Sequence, residues 1–427
     1  MLPTPPRYPS SFPWMVVAQF AAALADNALL IVSMVWLDWH GYPVWAAPLL
    51  KVSFNLSFVL LAPFVGALAD AWPKAAWMTA LNGVKALGAL AVLLGVNPLL
   101  ALLLMGMATS AYAPAKLGWM TETVAGPHLV GANGWLKASL VCAVLMGTAF
   151  GGWLVSPVWL LSSPAQGLQQ TLESLGLSQA GALTGSLCVL MLMYLGAMLC
   201  NAVVRESGTP RMPCSTDVQS LLARFAADVP VLWQDATARM ALLATMLFWG
   251  VGAVLQFAVL RWARESLGLA MHEATYLQAS VALGVMAGAL AAGRWVRLEH
   301  APHLLWAGLG MAALMALLPW APHWQAAALI LTLAGAAGGL MVVPLNALLH
   351  RRGHQLLGAG AAIAVQGFFQ NASVLVALGF YMGLLTWAPS MGTVLTTCAV
   401  VVAVATWRLL ALSKARLRPV PTAGLQH

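Results

Sequence analysis

Twelve apolar runs divide this chain. Six lie at about 14–37, 45–69, 75–95, 97–119, 130–155 and 181–204, and six more at about 239–260, 273–296, 303–320, 324–349, 357–386 and 390–412. A helix needs about 20 apolar residues to cross about 30 Å of hydrocarbon. The runs meet that length and are apolar on every face, whereas the strands of a transmembrane barrel would alternate over about ten residues. Of the 427 residues, 61% are hydrophobic and 7% charged, where a soluble domain carries about 25% charged residues. The chain is therefore read as an all-α polytopic membrane protein of twelve transmembrane helices. They form two six-helix halves, 1–204 and 239–427, joined by a charged linker at 205–238 and ending in a short basic tail.

The positive charges set the orientation. Of 20 Lys and Arg, 15 fall on the side of the N-terminus, two (Arg261 and Arg264) fall on the opposite side, and Lys51, Lys85 and Lys137 remain inside runs. Cytoplasmic loops carry the excess of Lys and Arg, so both termini are expected in the cytoplasm. The same sorting explains the net charge of +8 without a nucleic-acid partner. The first run is too long for a signal sequence and is expected to be retained. The halves repeat: Gly66-Ala67-Leu68-Ala69 recurs as Gly288-Ala289-Leu290-Ala291, Pro114 as Pro344, and Val130-Gly131-Ala132 as Leu357-Gly358-Ala359. Three ordered matches at nearly constant spacing point to duplication. Transporters built of repeats hold substrate near mid-membrane between them.

Against this apolar background the buried polar residues stand out. Asp26 lies at the centre of the first run, in Ala25-Asp26-Asn27. A carboxylate at that depth costs about 2.5–3.5 kcal/mol on insertion scales. Three roles are open to it: taking up a proton for coupling, since burial favours the neutral acid; holding a cationic substrate group; or pairing structurally with a nearby lysine. Lys85 and Lys137 lie deep in the third and fifth runs, and Lys116 ends the fourth. Cations there suit a phosphate-bearing ligand, although Lys116 can equally snorkel to the interface. Gln256, Asn346, Gln366 and Asn371 bring neutral polar groups to the second half. Hydrogen bonds between helices account for most of them, and a minority can reach ligand. The expected cavity is acidic or amphoteric on one side and apolar on the other, which suits an amphiphile better than a sugar.

Small-residue ridges at Gly147…Gly151, Gly284…Gly288 and Gly335…Gly339 predict close helix packing, with seams that can also slide. Histidines sit at loops and ends. The five cysteines form no CxxC pair, and no metal site, cofactor or disulfide framework is expected. The chain lacks GxSxG, HExxH and P-loop motifs, so no enzyme is expected.

The loop after the second run, Gly66-Ala-Leu-Ala-Asp70-Ala-Trp-Pro-Lys74, resembles the signature of the major facilitator superfamily in degraded form, with Pro73 in place of its second glycine. In that signature the glycine permits close helix contact and the acid latches one conformation. Further stretches are Asp26-Asn27-Ala28-Leu29-Leu30, Ala62-Pro63-Phe64-Val65-Gly66, Asn82-Gly83-Val84-Lys85, Pro114-Ala115-Lys116 with Glu122, Phe248-Trp249-Gly250, Val343-Pro344-Leu345-Asn346 and Gly358-Ala359-Gly360 with Gln366. In order, over nearly the whole chain, they resemble the lysophospholipid transporter family of Gram-negative inner membranes.

That resemblance implies a flippase, and a monomer is expected. It would carry lysophosphatidylethanolamine- and lysophosphatidylglycerol-type lipids to the cytoplasmic leaflet, where an acyltransferase/acyl-carrier-protein synthetase reacylates them. It places Asp26 and Asn27 in the polar site of the first helix and makes Lys85, Lys116 and Glu122 retained charges. The candidate substrate contacts are then Asp26, Asn27, Lys85, Lys137, Gln256, Asn346, Gln366 and Asn371, and the candidate latch is Gly66, Asp70, Lys74, Lys116 and Glu122. Lys137 stands where the resemblance leads one to expect an acid, and Gln256 where it leads one to expect an arginine. A lipid head cannot cross hydrocarbon cheaply; Asp26 would take its ammonium and a lysine its phosphate. Lateral entry is expected between spans 5 and 8 or between spans 2 and 11, followed by rocking of the halves. Two other readings stay open: a proton-coupled exporter of drugs or metabolites, and a non-transporting scaffold for the acyltransferase.

Overall fold

The computed structural model describes residues 8–125, 128–208, 217–387 and 390–417, apart from the side chains at positions 70, 130, 134, 137, 298, 359 and from 413 onward. Every regular element among them is helical. The first half comprises α1 (Phe12–Trp39), α2 (Ala46–Leu61), α3 (Val65–Ala71), α4 (Lys74–Leu93), α5 (Pro98–Thr123), α6 (Leu129–Leu154), the short α7 (Pro157–Leu160) and α8 (Ser163–Ser174), and α9 (Thr184–Ala202). After α10 (Val218–Gln234) come α11 (Ala236–Leu267), α12 (Met271–Trp295), α13 (Leu305–Leu317), α14 (Trp324–Leu357), α15 (Ala359–Trp387) and α16 (Met391–Leu417).

Eleven helices in the described residues are long and apolar enough to cross a membrane. The second apolar run is instead divided into α2 and α3. Pro63 explains the break: it has no N–H to donate and its ring collides with the carbonyl four residues back. Phe64 N–H turns to the Leu61 carbonyl instead, at 2.9 Å. Pro114 and Pro344, at matching places in the two halves, stay inside α5 and α14, where neighbouring helices tolerate them. The linker holds a helix that the charge pattern hid. Asp217 caps α10 through the N–H groups of Gln219 and Ser220, and Phe225, Val229 and Leu232 pack into the second half.

Glycines set the closest approaches. On α12, Gly284 and Gly288 meet the carbonyls of Thr332 and Ala336, and on α14, Gly335 and Gly339 meet those of Val281 and Val285; any side chain there would overlap backbone. Gly147 and Gly151 of α6 lie likewise against Leu24 and Ala28 of α1. Each ridge joins helices of one half, so these seams do not part when the halves move.

The apolar core shows where the halves meet. The side bearing the start of α1 and the linker is termed here the near side. On the opposite, far side one cluster runs across both halves, from Leu29, Val32 and Trp36 through Val254, Phe257 and Ala258 to Leu378 and Leu395. On the near side the core falls into three clusters, each within one half. The halves touch along α6–α12 and α2–α15, with Gly152 set against Thr275 and the His272 carbonyl at the far end. The halves are therefore packed together through apolar side chains on the far side, while on the near side each keeps its own core, and both expected lateral seams are in contact in this state.

Candidate functional site

α1 crosses the middle of the first half and brings Asp26 to mid-depth between α4 and α9. Lys85 Nζ on α4 donates to Asp26 Oδ2 at 2.7 Å, and Tyr194 O–H on α9 donates to Asp26 Oδ1 at 2.9 Å. The lysine side chain is 3% exposed and the carboxylate 13%. Removing one partner of such a buried pair costs about 3–5 kcal/mol, because the other charge is left uncompensated. Of the three roles open to Asp26, the structure shows the pairing: both oxygens accept from charged or hydroxyl donors.

Two further lysines complete the cluster. Lys51 on α2 lies half-buried within the field of Asp26 and has no ion-pair partner among the described residues. Its main-chain carbonyl accepts from Asn55 Nδ2 at 2.7 Å. Lys116 on α5 lies within the field of Lys85. It donates to Gln19 Oε1 and stands 5.8 Å from the Tyr112 ring centre. Gln19 in turn donates to the Leu136 carbonyl and Ser139 Oγ of α6, both at 2.8 Å. Lys85 on Asp26, Lys51 in its field and Lys116 beside Lys85 make this interior amphoteric with an excess of cations, more basic than the sequence led one to expect. The discrepancy arises because Lys51 sits in an apolar run and was left among the charges inside helices. Its spacing of one turn from Asn55 was the available signal.

The other candidates are distributed as follows. Asn27 turns away from the cluster toward Gly147 of α6 and donates to the Ala23 carbonyl of its own helix at 2.9 Å. Gln366 Nε2 donates to Asn346 Oδ1 at 2.6 Å, tying α15 to α14. Asn371 donates to the Gly367 carbonyl one turn back. Gln256 is half-buried on α11. Asn27, Asn346, Gln366 and Asn371 bind one another or their own backbone rather than the ionic cluster. The side chain of Lys137 lies outside the described residues.

The candidate latch divides. Lys74 pairs with Glu122 at 2.6 Å, and Ser207 at the start of the linker donates to the same carboxylate. The Ala76 N–H donates to Glu206 at 2.9 Å. These bonds tie α4, α5 and the linker on the near side of the first half alone. Lys116 takes no part, because it lies more than a turn before Glu122 and faces α1. Gly66 is exposed with open space where a side chain would stand, so it makes no close helix contact in this state. The side chain of Asp70 lies outside the described residues.

No family model matches the chain. Solved structures share its architecture. A bacterial homologue of the human lysosomal transporter Spinster, inward-facing and unoccupied, gives a TM-score of 0.69 at 13% identity, covering 96% of this chain and 98% of that one. The nucleoside transporter NupG gives 0.69 at 11% identity, covering 96% and 100%. Paired six-helix halves around a polar interior define a transporter of the major facilitator fold. Among curated proteins, the lysophospholipid transporters LplT of Yersinia pestis (strain Pestoides F) and Yersinia pseudotuberculosis serotype O:3 (strain YPIII) are each 36% identical over 368 residues, 86% of this chain and 85% of theirs. The chain belongs to the LplT family of lysophospholipid transporters.

Proposed function

We propose that this protein carries lysophospholipids from the outer to the inner leaflet of a bacterial inner membrane, where a cytoplasmic acyltransferase reacylates them. The relatives' name supports the substrate class. The charge bias of 15 to 2 supports cytoplasmic termini. On that orientation the near side is cytoplasmic and the cleft between the halves faces inward.

The observation that carries the reading is the basic cluster at mid-depth. Asp26 neutralises Lys85, and Lys51 adds a cation with no carboxylate of its own. A phosphodiester head entering the cleft replaces its lost hydration with the Lys51 ammonium, and the Asp26–Lys85–Tyr194 network fixes the geometry around it. Lys116, already bound to Gln19, adds positive potential without needing to move. The acyl tail stays in the apolar seam between the halves, along α6–α12 or α2–α15. Asp26 already accepts on both oxygens, so its ammonium-binding role gives way to one of organising the lysines.

The test is uptake of labelled lysophosphatidylethanolamine and lysophosphatidylglycerol in cells lacking their own lysolipid transporter. Wild type restores uptake. Lys51→Gln raises KM roughly tenfold, the loss of about one charge-assisted hydrogen bond. Wild-type protein that inserts normally yet moves neither lipid overturns the proposal.

A further inference from the structure

On the packed far side a cavity of about 350 Å³ persists between the halves. It lies within the size range of small-molecule sites, roughly 300–1,000 Å³. Met34 of α1, Val44 just before α2, Ala47 of α2 and Phe257 of α11 give it an apolar wall. Arg261, Arg264, Glu265 and Asp38 give it an ionic one. These two arginines are the Lys/Arg residues that the charge sorting assigns to this side, and both line the same cavity.

The ionic wall is loosely paired. Arg261 bonds Glu265 one turn along α11. Arg264 Nη2 reaches Asp38 Oδ2 at 3.2 Å, from α11 to α1, and so spans the two halves. Their side chains are 45% and 58% exposed, and an ion pair so open to water is readily exchanged for another partner. Guanidinium groups bind phosphate through two parallel hydrogen bonds, and the carboxylates offer acceptors to an amine. Val44, Ala47 and Tyr381 place the cavity at the far mouth of the α2–α15 seam.

We infer that this cavity is a second binding site, a capture point for the phosphodiester head of a single-chain lipid in the outer leaflet. The phosphate takes Arg264 from Asp38 and so releases a bond that holds the halves together on that side. The tail lies along Met34, Val44 and Phe257. The inference rests on the lysolipid reading above and adds to it a site remote from the lysine cluster.

The experiment uses the full chain in phosphatidylcholine nanodiscs with a photoactivatable lysophosphatidylethanolamine, its labelled peptides mapped by mass spectrometry. Label is expected in segments 42–48 and 257–265. It falls roughly tenfold in the Arg261→Gln/Arg264→Gln variant, the scale of a lost charge-assisted contact. It is unchanged in Lys51→Gln, and a millimolar excess of inorganic phosphate does not displace it. Asp38→Asn breaks the same bond between halves but keeps the cation, so label is retained or raised there. Absence of label at these segments, persistence in the double arginine variant, equal loss in Asp38→Asn, or displacement by free phosphate each overturns the inference. Uptake measured in cells with the same variants separates the two proposals. Uptake without label at the cavity sinks the capture site alone, and label without uptake sinks the transport reading.

Discussion

Span for span the two halves follow one plan, yet they fill their interiors differently. The first buries Asp26 against Lys85 and Tyr194 and keeps Lys51 and Lys116 nearby. The second packs α12 on α14 through four glycines and joins α14 to α15 by the neutral Asn346–Gln366 bond. One of its ion pairs, Arg352 to Asp235 at 2.7 Å, lies at the near rim. Buried charge is costly and is kept where it acts on a ligand, and backbone contact through glycine makes a stiff unit. On the proposed function, the mid-depth head-group contacts fall to the first half, while the second supplies a stiff α12–α14 unit.

The strongest way to break that contrast is to remove one buried charge. Asp26→Ala is expected to destabilise the protein by about 3–5 kcal/mol, because Lys85 is left uncompensated, and to abolish uptake. Adding Lys85→Met should restore much of the thermal stability while leaving uptake absent. If the double variant transports, the pair is merely structural and the contrast fails. Next in size is a bulky residue in the glycine seam. Gly288→Leu drives a side chain into the Ala336 carbonyl, and overpacking of this kind costs about 1–3 kcal/mol or more. A lowered melting temperature in detergent checks it, and an unchanged one would mean that α12 and α14 are not locked together.

Smaller effects sharpen the picture. Gln366→Ala removes a neutral bond worth about 1 kcal/mol and should leave lysolipid KM within roughly twofold of wild type, less than half of one tenfold step. A large rise in KM would bring the second half into the binding site. The smallest change concerns the rim. The hydrogen bond from Arg352 is the main cause holding the Asp235 carboxyl below its usual range. A depressed carboxyl adds stability above its unfolded pKa and loses it as pH falls through the folded one. Wild type should therefore lose, on acidification through the carboxylate range, an increment of up to about 1 kcal/mol that Arg352→Ala never had, as expected for a partly exposed pair. Melting curves across acid pH measure it.

Much of this architecture was legible in the sequence because a membrane leaves a chain few options. Apolar length reports spans directly, and glycines four apart reported the α12–α14 and α1–α6 seams. Asp26 was conspicuous because an acid in an apolar run has no cheap explanation. Its partner was not assignable, since Lys51, Lys85 and Lys137 were all candidates and only the relative rotation of α1, α4 and α9 selects Lys85. Neutral amides gave still less guidance: Asn27 and Asn371 bond their own helices and Gln366 bonds Asn346 on the next, and nothing in their spacing distinguishes that from contact with a ligand. The division of the second span at Pro63 depended on whether neighbours would absorb the missing hydrogen bond, as they do for Pro114 and Pro344. The amphipathic α10 was hidden because its charges read as linker.

The apolar cluster shared by both halves on the far side also makes the resting carrier an insulator. A protein that admits lipid heads to mid-membrane risks becoming a leak for protons and metal cations, yet here any such ion would have to traverse a plug of interlocked Leu, Val, Ala and Phe contributed by α1 and α11 together. On the proposed function, dissipation of the transmembrane gradient is thereby confined to whatever moments that plug parts during turnover.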